Sequence, residues 1–306
     1  MPPVPAVEVI DASRWYGNLV AVNGISFALG PGITGMLGPN GAGKSTLLHM
    51  LAGFLAPSSG EVRVLGKRAW RNPDVYRHVG LVPEREAVYP FLTGWEFVLT
   101  SARLHGLADP EAAAAKAIRA VEMEDVQARQ TGGYSKGMKQ RIKVAAAIVH
   151  EPAVLLLDEP FNGADPRQRL QMIDLLRAMA EAGRTIVFSS HILEEVERLA
   201  ENVLVIVAGR LAASGDFREI RRLMTDRPHT FTLRASDNRQ LAAALVADPV
   251  VFGVELGDGA LTVRTSDFAA FTLAAPRVAR TAQVTLFELR PTDESLESVF
   301  SYLVNR

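Results

Sequence analysis

Gly38-Pro39-Asn40-Gly41-Ala42-Gly43-Lys44-Ser45-Thr46 is the stretch from which the rest of the chain is read. It fits the phosphate-binding pattern G-x-x-x-x-G-K-[ST] at Gly38, Gly43, Lys44 and Ser45. Glycine lets the backbone curl until successive N–H groups point into one concavity. A helix starting at such a turn aims the positive end of its dipole at the same point. Lys44 adds a cation for the outer phosphates, and Ser45 offers a hydroxyl oxygen to Mg²⁺, which keeps most of its remaining shell as water and phosphate. A glycine-rich turn before an ordinary helix is the bland alternative. The context favours the phosphate site: Ile33–Leu37 reads as a buried strand and Thr46–Leu51 as an apolar helix.

The whole chain sets outer bounds. Its 306 residues suffice for one large domain and a small one, and a 48% hydrophobic fraction beside 22% charged residues is ordinary for a globular protein. With 33 basic against 34 acidic residues there is no overall electrostatic footprint for nucleic acid, so no nucleic-acid partner is expected, although a local basic patch stays open. The absence of cysteine excludes disulfides, thiolate metal sites and a cysteine nucleophile, and is compatible with the cytoplasm. Met1–Ile10 lacks a basic region followed by an apolar core, so no signal peptide is expected. No run approaches the length of a membrane-spanning helix, and the chain is expected not to cross a membrane alone.

Ala6–Ala12 and Leu19–Leu29 read as strands, with Trp15 and Tyr16 between them. Tyr16 is either a plate on which an adenine ring stacks or an aromatic packing the strand corner; from the residues alone the second is favoured. After the phosphate loop, Glu61–Leu65 is a strand and Arg77–Val82 leads to Pro83-Glu84. Thr93 with Glu96 forms a capping box for a helix from Gly94 to His105, and Asp109-Pro110 starts a helix continuing over Glu111–Glu124. The region of about 84–148 is therefore a mostly helical insertion in a strand–helix alternation. Tyr134–Met138 precedes a helix over Lys139–Val149. Val154–Leu157 is a fully buried strand that delivers two carboxylates, Asp158 and Glu159, to its carboxyl end, where parallel sheets place ligands. Asp158 can join a magnesium shell, and Glu159 can orient or deprotonate a water. A solvated acidic turn is the alternative, disfavoured by the phosphate loop upstream. Asp165-Pro166 caps a helix whose stripe is Leu170, Ile173, Leu176 and Met179. The strand Arg184–Ser190 delivers His191 to the start of helix Ile192–Ala200, as a phosphate donor or as a structural cap.

The order of these pieces is specific. A phosphate loop, Pro83-Glu84, Tyr134–Met138, Leu155-Leu156-Leu157-Asp158-Glu159-Pro160, Asn162–Asp165 and Ser189-Ser190-His191 together resemble the nucleotide-binding subunit of ATP-binding-cassette (ABC) transporters, over about Val7–Leu223. The resemblance implies an α/β phosphate-loop ATPase cassette with a helical subdomain. It also implies ATP and Mg²⁺ as ligands, with the phosphate loop from Gly38 to Thr46 holding the nucleotide. On it Tyr16 becomes the adenine-stacking aromatic, Lys44 and Ser45 hold phosphate and magnesium, and Asp158 belongs to the magnesium shell. Glu159 becomes the catalytic base, and His191 contacts the terminal phosphate. Ser135 and Gly137 match the signature that engages ATP held by the other subunit, and Asp165 crosses the same interface. The implied partners are a second copy or a second ABC ATPase, closing head-to-tail on two ATP molecules, and a separate integral-membrane permease that keeps the chain on the cytoplasmic face of the membrane.

Two positions depart from the family pattern. Leu-Ser-Gly-Gly-Gln becomes Tyr134-Ser135-Lys136-Gly137-Met138, which brings a cation near the phosphate. The usual glutamine becomes Glu84, a carboxylate that can bind magnesium but cannot donate a hydrogen bond. Pro83–Pro90 and the Lys-Gly-Met signature resemble the branch that exports drugs, sodium or other compounds through separate permease chains, whose members often carry a small carboxyl-terminal domain.

The tail fits that description. The cassette is assigned to 1–224 and an accessory domain to 225–306, with Thr225–Pro228 as linker. His229–Ala235, a helix Asp237–Ala247 capped by Ser236, strands Val250–Leu256 and Ala260–Thr265 around Gly257-Asp258-Gly259, a helix Phe268–Ala279 broken at Pro276, and a strand Thr281–Leu289 give the β-α-β-β-α-β order of a ferredoxin-like domain. Asp293 caps a last helix, Glu294–Val304. Three other readings stand against the transport motor. A soluble ABC-type ATPase acting on ribosomes or DNA is disfavoured by the single phosphate loop and the lack of a coiled-coil or zinc insertion. A nucleotide-gated module with little turnover is disfavoured by Glu159 and His191. Other phosphate-loop enzymes, such as kinases, lack the Ser135/Gly137 element at this position.

Overall fold

Strand and helix boundaries follow local chemistry closely enough to be traced in chain order. The computed structural model describes residues 5–85, 87–216, 219–220 and 228–292. The chain divides into two units, Met1–Ser214 and Gly215–Arg306. The first contains β1 (Val7–Tyr16), β2 (Leu19–Leu29), β3 (Gly32–Leu37), α1 (Lys44–Leu51), β4 (Ser59–Val64), β5 (Lys67–Arg68), α2 (Pro73–Tyr76) and β6 (Val79–Val82). Three helices follow, α3 (Gly94–Leu104), α4 (Pro110–Ala120) and α5 (Lys136–Ile148). The unit ends with β7 (Val154–Asp158), α6 (Pro166–Glu181), β8 (Thr185–Ser190), α7 (Leu193–Leu199), β9 (Asn202–Val207) and β10 (Arg210–Gly215).

Among the described residues a six-stranded sheet runs in the order β10-β9-β3-β8-β7-β6. The pairs β6–β7, β7–β8, β3–β8 and β3–β9 are all parallel. Every residue of β7 and β8 is buried, as expected of strands covered on both faces. The register decides where the chemistry meets. Leu37 pairs with Ser190, Asp158 with Ser189, and Val82 with Leu157. The turns that leave β3, β6, β7 and β8 therefore emerge side by side at one edge. A second sheet, β2-β1-β4-β5, is antiparallel in its pairs. Its Val9, Ile25 and Val62 share one core with Met36, Leu156 and Val187 of the parallel sheet and with Leu47, Leu48 and Leu51 of α1. Each such side chain stabilises the fold by about 1.5–3 kcal/mol, and together they fix α1, and so the loop before it, against both sheets.

Several boundaries differ from the sequence reading for identifiable reasons. β1 runs on through Trp15 and Tyr16, which pair with Val20 and Leu19, because Gly17 at φ 59° allows an abrupt turn. Both aromatics are strand residues rather than connection. α4 stops at Ala120, and Glu122 beyond it adopts φ 51°. α5 begins three residues early, since the Ser135 hydroxyl accepts the Met138 N–H and caps it. In α6 the buried ridge is Met172, Ile173 and Leu176; Leu170, in the turn next to the cap, is 47% exposed.

His105 and His150 stack with ring centroids 3.6 Å apart. Burial first, and then the neighbouring His105, push the His150 imidazole from 6.5 down to about 4. The unfolded chain therefore binds a proton on His150 before the folded chain does. The stability tied to neutral His150 is complete above pH 6.5 and is lost as pH falls toward 4. Between pH 7 and 5 the wild-type chain is expected to lose about 1 kcal/mol more than His150→Gln, a figure discounted for solvent at the ring edge. Urea titrations at the two pH values check this.

The second unit contains β11 (His229–Ala235), α8 (Asn238–Val246), β12 (Val251–Leu256), β13 (Leu261–Thr265), α9 (Phe268–Thr281) and β14 (Leu286–Pro291). Its sheet runs β12-β13-β11-β14, with antiparallel pairs. This is the strand order of a β-α-β-β-α-β module. The core is Phe231, Leu233, Leu241, Leu245, Leu261, Val263 and Phe271. Asp237, not Ser236, caps α8 through the Gln240 N–H; the Ser236 hydroxyl accepts the Thr285 N–H instead. Pro276 does not break α9. Pro276 has no N–H to offer the Thr272 carbonyl one turn earlier, and both residues are exposed, so the turn that loses this bond faces solvent. Because α9 continues to Thr281, β14 starts only at Leu286. The expected linker residues 225–227 and the expected helix Glu294–Val304 lie outside the described residues.

Candidate nucleotide site

The loop between β3 and α1 is held so tightly that glycine is required. A Cβ on Gly38 would lie 2.3 Å from the Ile206 carbonyl oxygen. One on Gly43, at φ 103°, would lie 2.3 Å from that of Ala21. The loop is thus pinned between β2 and β9, and α1 starts at Lys44 with the Gly43 backbone already turned. Lys44 is buried, and its ammonium donates to the carbonyls of Gly38 at 2.7 Å and Pro39 at 3.3 Å. Burial lowers its affinity for the proton, while the nearby carboxylates of Glu159, Asp158 and Glu84 oppose that shift. The three acids and the lysine therefore share one electrostatic neighbourhood.

A cleft of about 440 Å³ opens above the loop. It is lined by Asn40, Gly41, Ala42, Gly43, Lys44, Ser45 and Thr46 on its floor, by Glu84, Asp158 and Glu159 on one side, and by Tyr16, Leu19, Val20 and Ala21 on another. Gly38 and Pro39 sit beneath it, offering the carbonyls that hold Lys44. Tyr16 is exposed, with the Arg14 guanidinium 4.8 Å from its ring centroid.

At the end of β7 the two carboxylates are set by Ser189, a residue that the sequence reading quoted beside His191 without giving it a role. The buried Ser189 hydroxyl donates to Asp158 Oδ1 at 2.6 Å and accepts the Glu159 N–H at 2.9 Å. Glu159 sits at φ 50°, a left-handed conformation that costs a non-glycine residue about 1–3 kcal/mol. The bond from Ser189 helps to hold it there. Burial pushes the Glu159 carboxyl above its ordinary value, and the hydrogen bond from His191 acts against this. His191 Nδ1 lies 2.9 Å from Glu159 Oε2, while the ring itself is half exposed. In the sequence Ser189 stands only as part of the Ser189-Ser190-His191 run, and nothing there pairs it with Asp158.

Ser135, Gly137 and Asp165 do not line the cleft. They form a second assembly in which the turn before α5 packs on the turn before α6. A Cβ on Gly137 would lie 2.1 Å from Gln168 Oε1, and one on Gly163 would lie 2.8 Å from the Lys136 Cβ. Asp165 Oδ1 accepts the Gln168 N–H at 2.8 Å in a capping box. The sequence-predicted residues thus fall into two groups, one around the cleft and one apart from it. His191 bridges to the first through Glu159.

A phosphate loop at the end of β3, with two carboxylates at the end of β7 and β8 lying between the two strands, defines a nucleotide-binding α/β cassette. Comparison with known proteins gives the family. The family model described as ABC transporter matches residues 22–162. The chain is 35% identical to the daunorubicin/doxorubicin resistance ATP-binding protein DrrA of Streptomyces peucetius, over 84% of this chain and 82% of that protein. It is 37% identical to the Nod factor export ATP-binding protein I of Paraburkholderia xenovorans (strain LB400), over 70% of this chain and 71% of that protein. A solved ATP-binding subunit of an ABC transporter superposes with a TM-score of 0.65 at 29% identity, covering 71% of this chain and 92% of that one. The chain belongs to the ABC transporter family as an ATP-binding subunit, and its reaction is ATP hydrolysis.

Proposed function

We propose that this subunit powers export through a separate integral-membrane permease, and that it does so as a pair, with a second copy or a second ABC ATPase, closing on two ATP molecules. The observation that carries this reading is the separation of the two residue groups. Lys44, Ser45, Asp158 and Glu159 converge on one cleft, whereas Ser135, Gly137 and Asp165 do not line it. A head-to-tail pair would bring the second group of one chain to the terminal phosphate held by the first group of the other. Export is supported by the relatives' own descriptions as drug-resistance and Nod factor export proteins. Among the described residues no helix is long and apolar enough to cross a membrane, so the reading requires the permease for a place on the cytoplasmic membrane face.

In this reading Tyr16 stacks on adenine, and the loop from Gly38 to Thr46 cradles the phosphates with the N–H groups of its residues other than Pro39. Lys44 leaves the carbonyls of Gly38 and Pro39 for phosphate oxygens. Ser45 and Asp158, with Glu84 beside them, present oxygen donors of the kind Mg²⁺ takes. Among the described residues no three His, Cys, Asp or Glu side chains converge as a metal cage. Magnesium bound there would neutralise charge on the phosphates. Glu159, made more basic than an ordinary carboxylate by burial, accepts the proton of the attacking water, and His191 steadies the terminal phosphate. Asp165 and Ser135 would act across the pair.

Phosphate release from ATP, with magnesium and with a chelator in its place, tests the reading. Release that stops with the chelator is expected; release unaffected by it contradicts the arrangement. Glu84→Gln is expected to need less magnesium for half-maximal turnover by about two- to fivefold, because the glutamine removes a negative charge beside the phosphates and can donate to them. An unchanged magnesium requirement would rule out this role for Glu84.

A further inference from the structure

Glu84 lines the nucleotide cleft, yet among the described residues its side chain makes no hydrogen bond or ion pair. Its place is set by its backbone. The carbonyls immediately before and after it, those of Pro83 and Arg85, accept hydrogen bonds from one ammonium, that of Lys143, at 2.7 and 3.0 Å. Lys143 lies on α5 and is buried. The same helix is capped by Ser135 at its start. On the far side of Glu84 is a second cleft, of about 350 Å³, lined by Glu84, Lys136, Lys139, Gln140, Lys143, Asn162 and Gly163. Glu84 is thus a wall between the nucleotide cleft and a lysine-rich cleft on the signature helix. In the second cleft the buried Gln140 Nε2 has no hydrogen-bond partner.

We infer that Lys143 is a positioning residue for the reaction: its ammonium clamps the Pro83–Arg85 backbone to α5 and thereby holds the Glu84 carboxylate at the magnesium side of the cleft. The carbonyls on either side of Glu84, which lies outside the described helices and strands, are tied by two charge-assisted bonds, which are shorter and stronger than neutral ones. Because α5 is a continuous helix from Lys136 to Ile148, displacement of its capped end moves Lys143 with it. Engagement of Ser135 by a partner's nucleotide would then be felt at Glu84 in the chain's own cleft. The inference rests on the nucleotide reading given above and adds to it the residue that transmits position.

The test compares wild type, Lys143→Met, Lys143→Arg and Glu159→Gln. It measures kcat and KM for Mg-ATP, half-saturation by magnesium, and amide hydrogen exchange of residues 84–88. Lys143→Met is expected to lower kcat about tenfold or more, with KM within threefold, to lower the magnesium requirement in the same direction as Glu84→Gln, and to speed exchange in that loop and not in α1. Lys143→Arg, which keeps the charge and donors, is expected to restore kcat to within threefold. If the methionine variant does not fold, Lys143→Leu, which likewise has no N–H donor, takes its place. A methionine or leucine variant with turnover, magnesium dependence and loop exchange all within twofold of wild type overturns the inference. So does an arginine variant as impaired as the methionine one. If Glu159→Gln is inactive beside a normal Lys143→Met, only this inference falls; a fully active Glu159→Gln overturns the nucleotide reading on which it rests.

Discussion

Glu159→Gln is expected to reduce ATP turnover by about 10²–10⁴-fold, the usual contribution of a positioned general base, while leaving ATP binding within about threefold. The substitution keeps the shape of the side chain and its place beside His191, and removes only the capacity to take a proton. Its effect on stability separates this outcome from misfolding. Burial raises the Glu159 carboxyl above its ordinary value, so the folded chain holds that proton more tightly than the unfolded chain does. At neutral pH the ionised carboxylate is therefore a burden on the fold, which glutamine lifts. The variant should melt at or above the wild-type temperature. The same shift fixes a pH dependence: with Glu159 as the proposed base, wild-type turnover is expected to fall with acidification at a higher pH than an unperturbed glutamate would give. Phosphate-release assays and thermal melts from pH 5 to 8 check both. A variant with more than a tenth of wild-type turnover would contradict the assignment.

Lys44→Ala is expected to weaken Mg-ATP binding by two to three orders of magnitude. Each hydrogen bond to a charged group contributes about 1.5–3 kcal/mol, and Lys44 has two carbonyl bonds to exchange for phosphate oxygens. Two such bonds are worth about 3–6 kcal/mol; the carbonyl bonds given up in exchange hold the net loss to the lower part of that range, and every 1.4 kcal/mol is tenfold in affinity. The loop should survive the change, because Gly38 and Gly43 are pinned by the chains of β9 and β2 rather than by the lysine. Calorimetric titration with Mg-ATP measures the loss directly. A weakening of less than about threefold would mean that Lys44 does not reach the phosphates.

Much of the cassette could be read from local chemistry. The strand–loop–helix at Gly38, the capping boxes at Thr93 and Asp165, and the apolar run ending in Asp158-Glu159 each announce their own geometry. Where the reading slipped, a tertiary or conformational choice decided the outcome. Gly17 made a turn abrupt enough for Tyr16 to remain in its strand, and the Ser135 cap drew α5 back to Lys136. Exposure let Pro276 stay within a helix that sequence alone would break. The site was legible in its residue types but not in its supports. Ser189 and Lys143 are ordinary in sequence, one in a strand and one in a helix. Their roles appear only when parallel register sets Ser189 beside Asp158, and when packing brings the Lys143 ammonium under Pro83 and Arg85.

The most direct test of the central claim is sedimentation velocity of Glu159→Gln with and without Mg-ATP. A variant that binds ATP without hydrolysing it should be monomeric alone and dimeric with Mg-ATP, and a further Ser135→Arg or Lys44→Ala change should abolish the dimer. A Glu159→Gln chain that stays monomeric at saturating Mg-ATP would contradict the paired arrangement. So would a dimer indifferent to nucleotide and to Ser135.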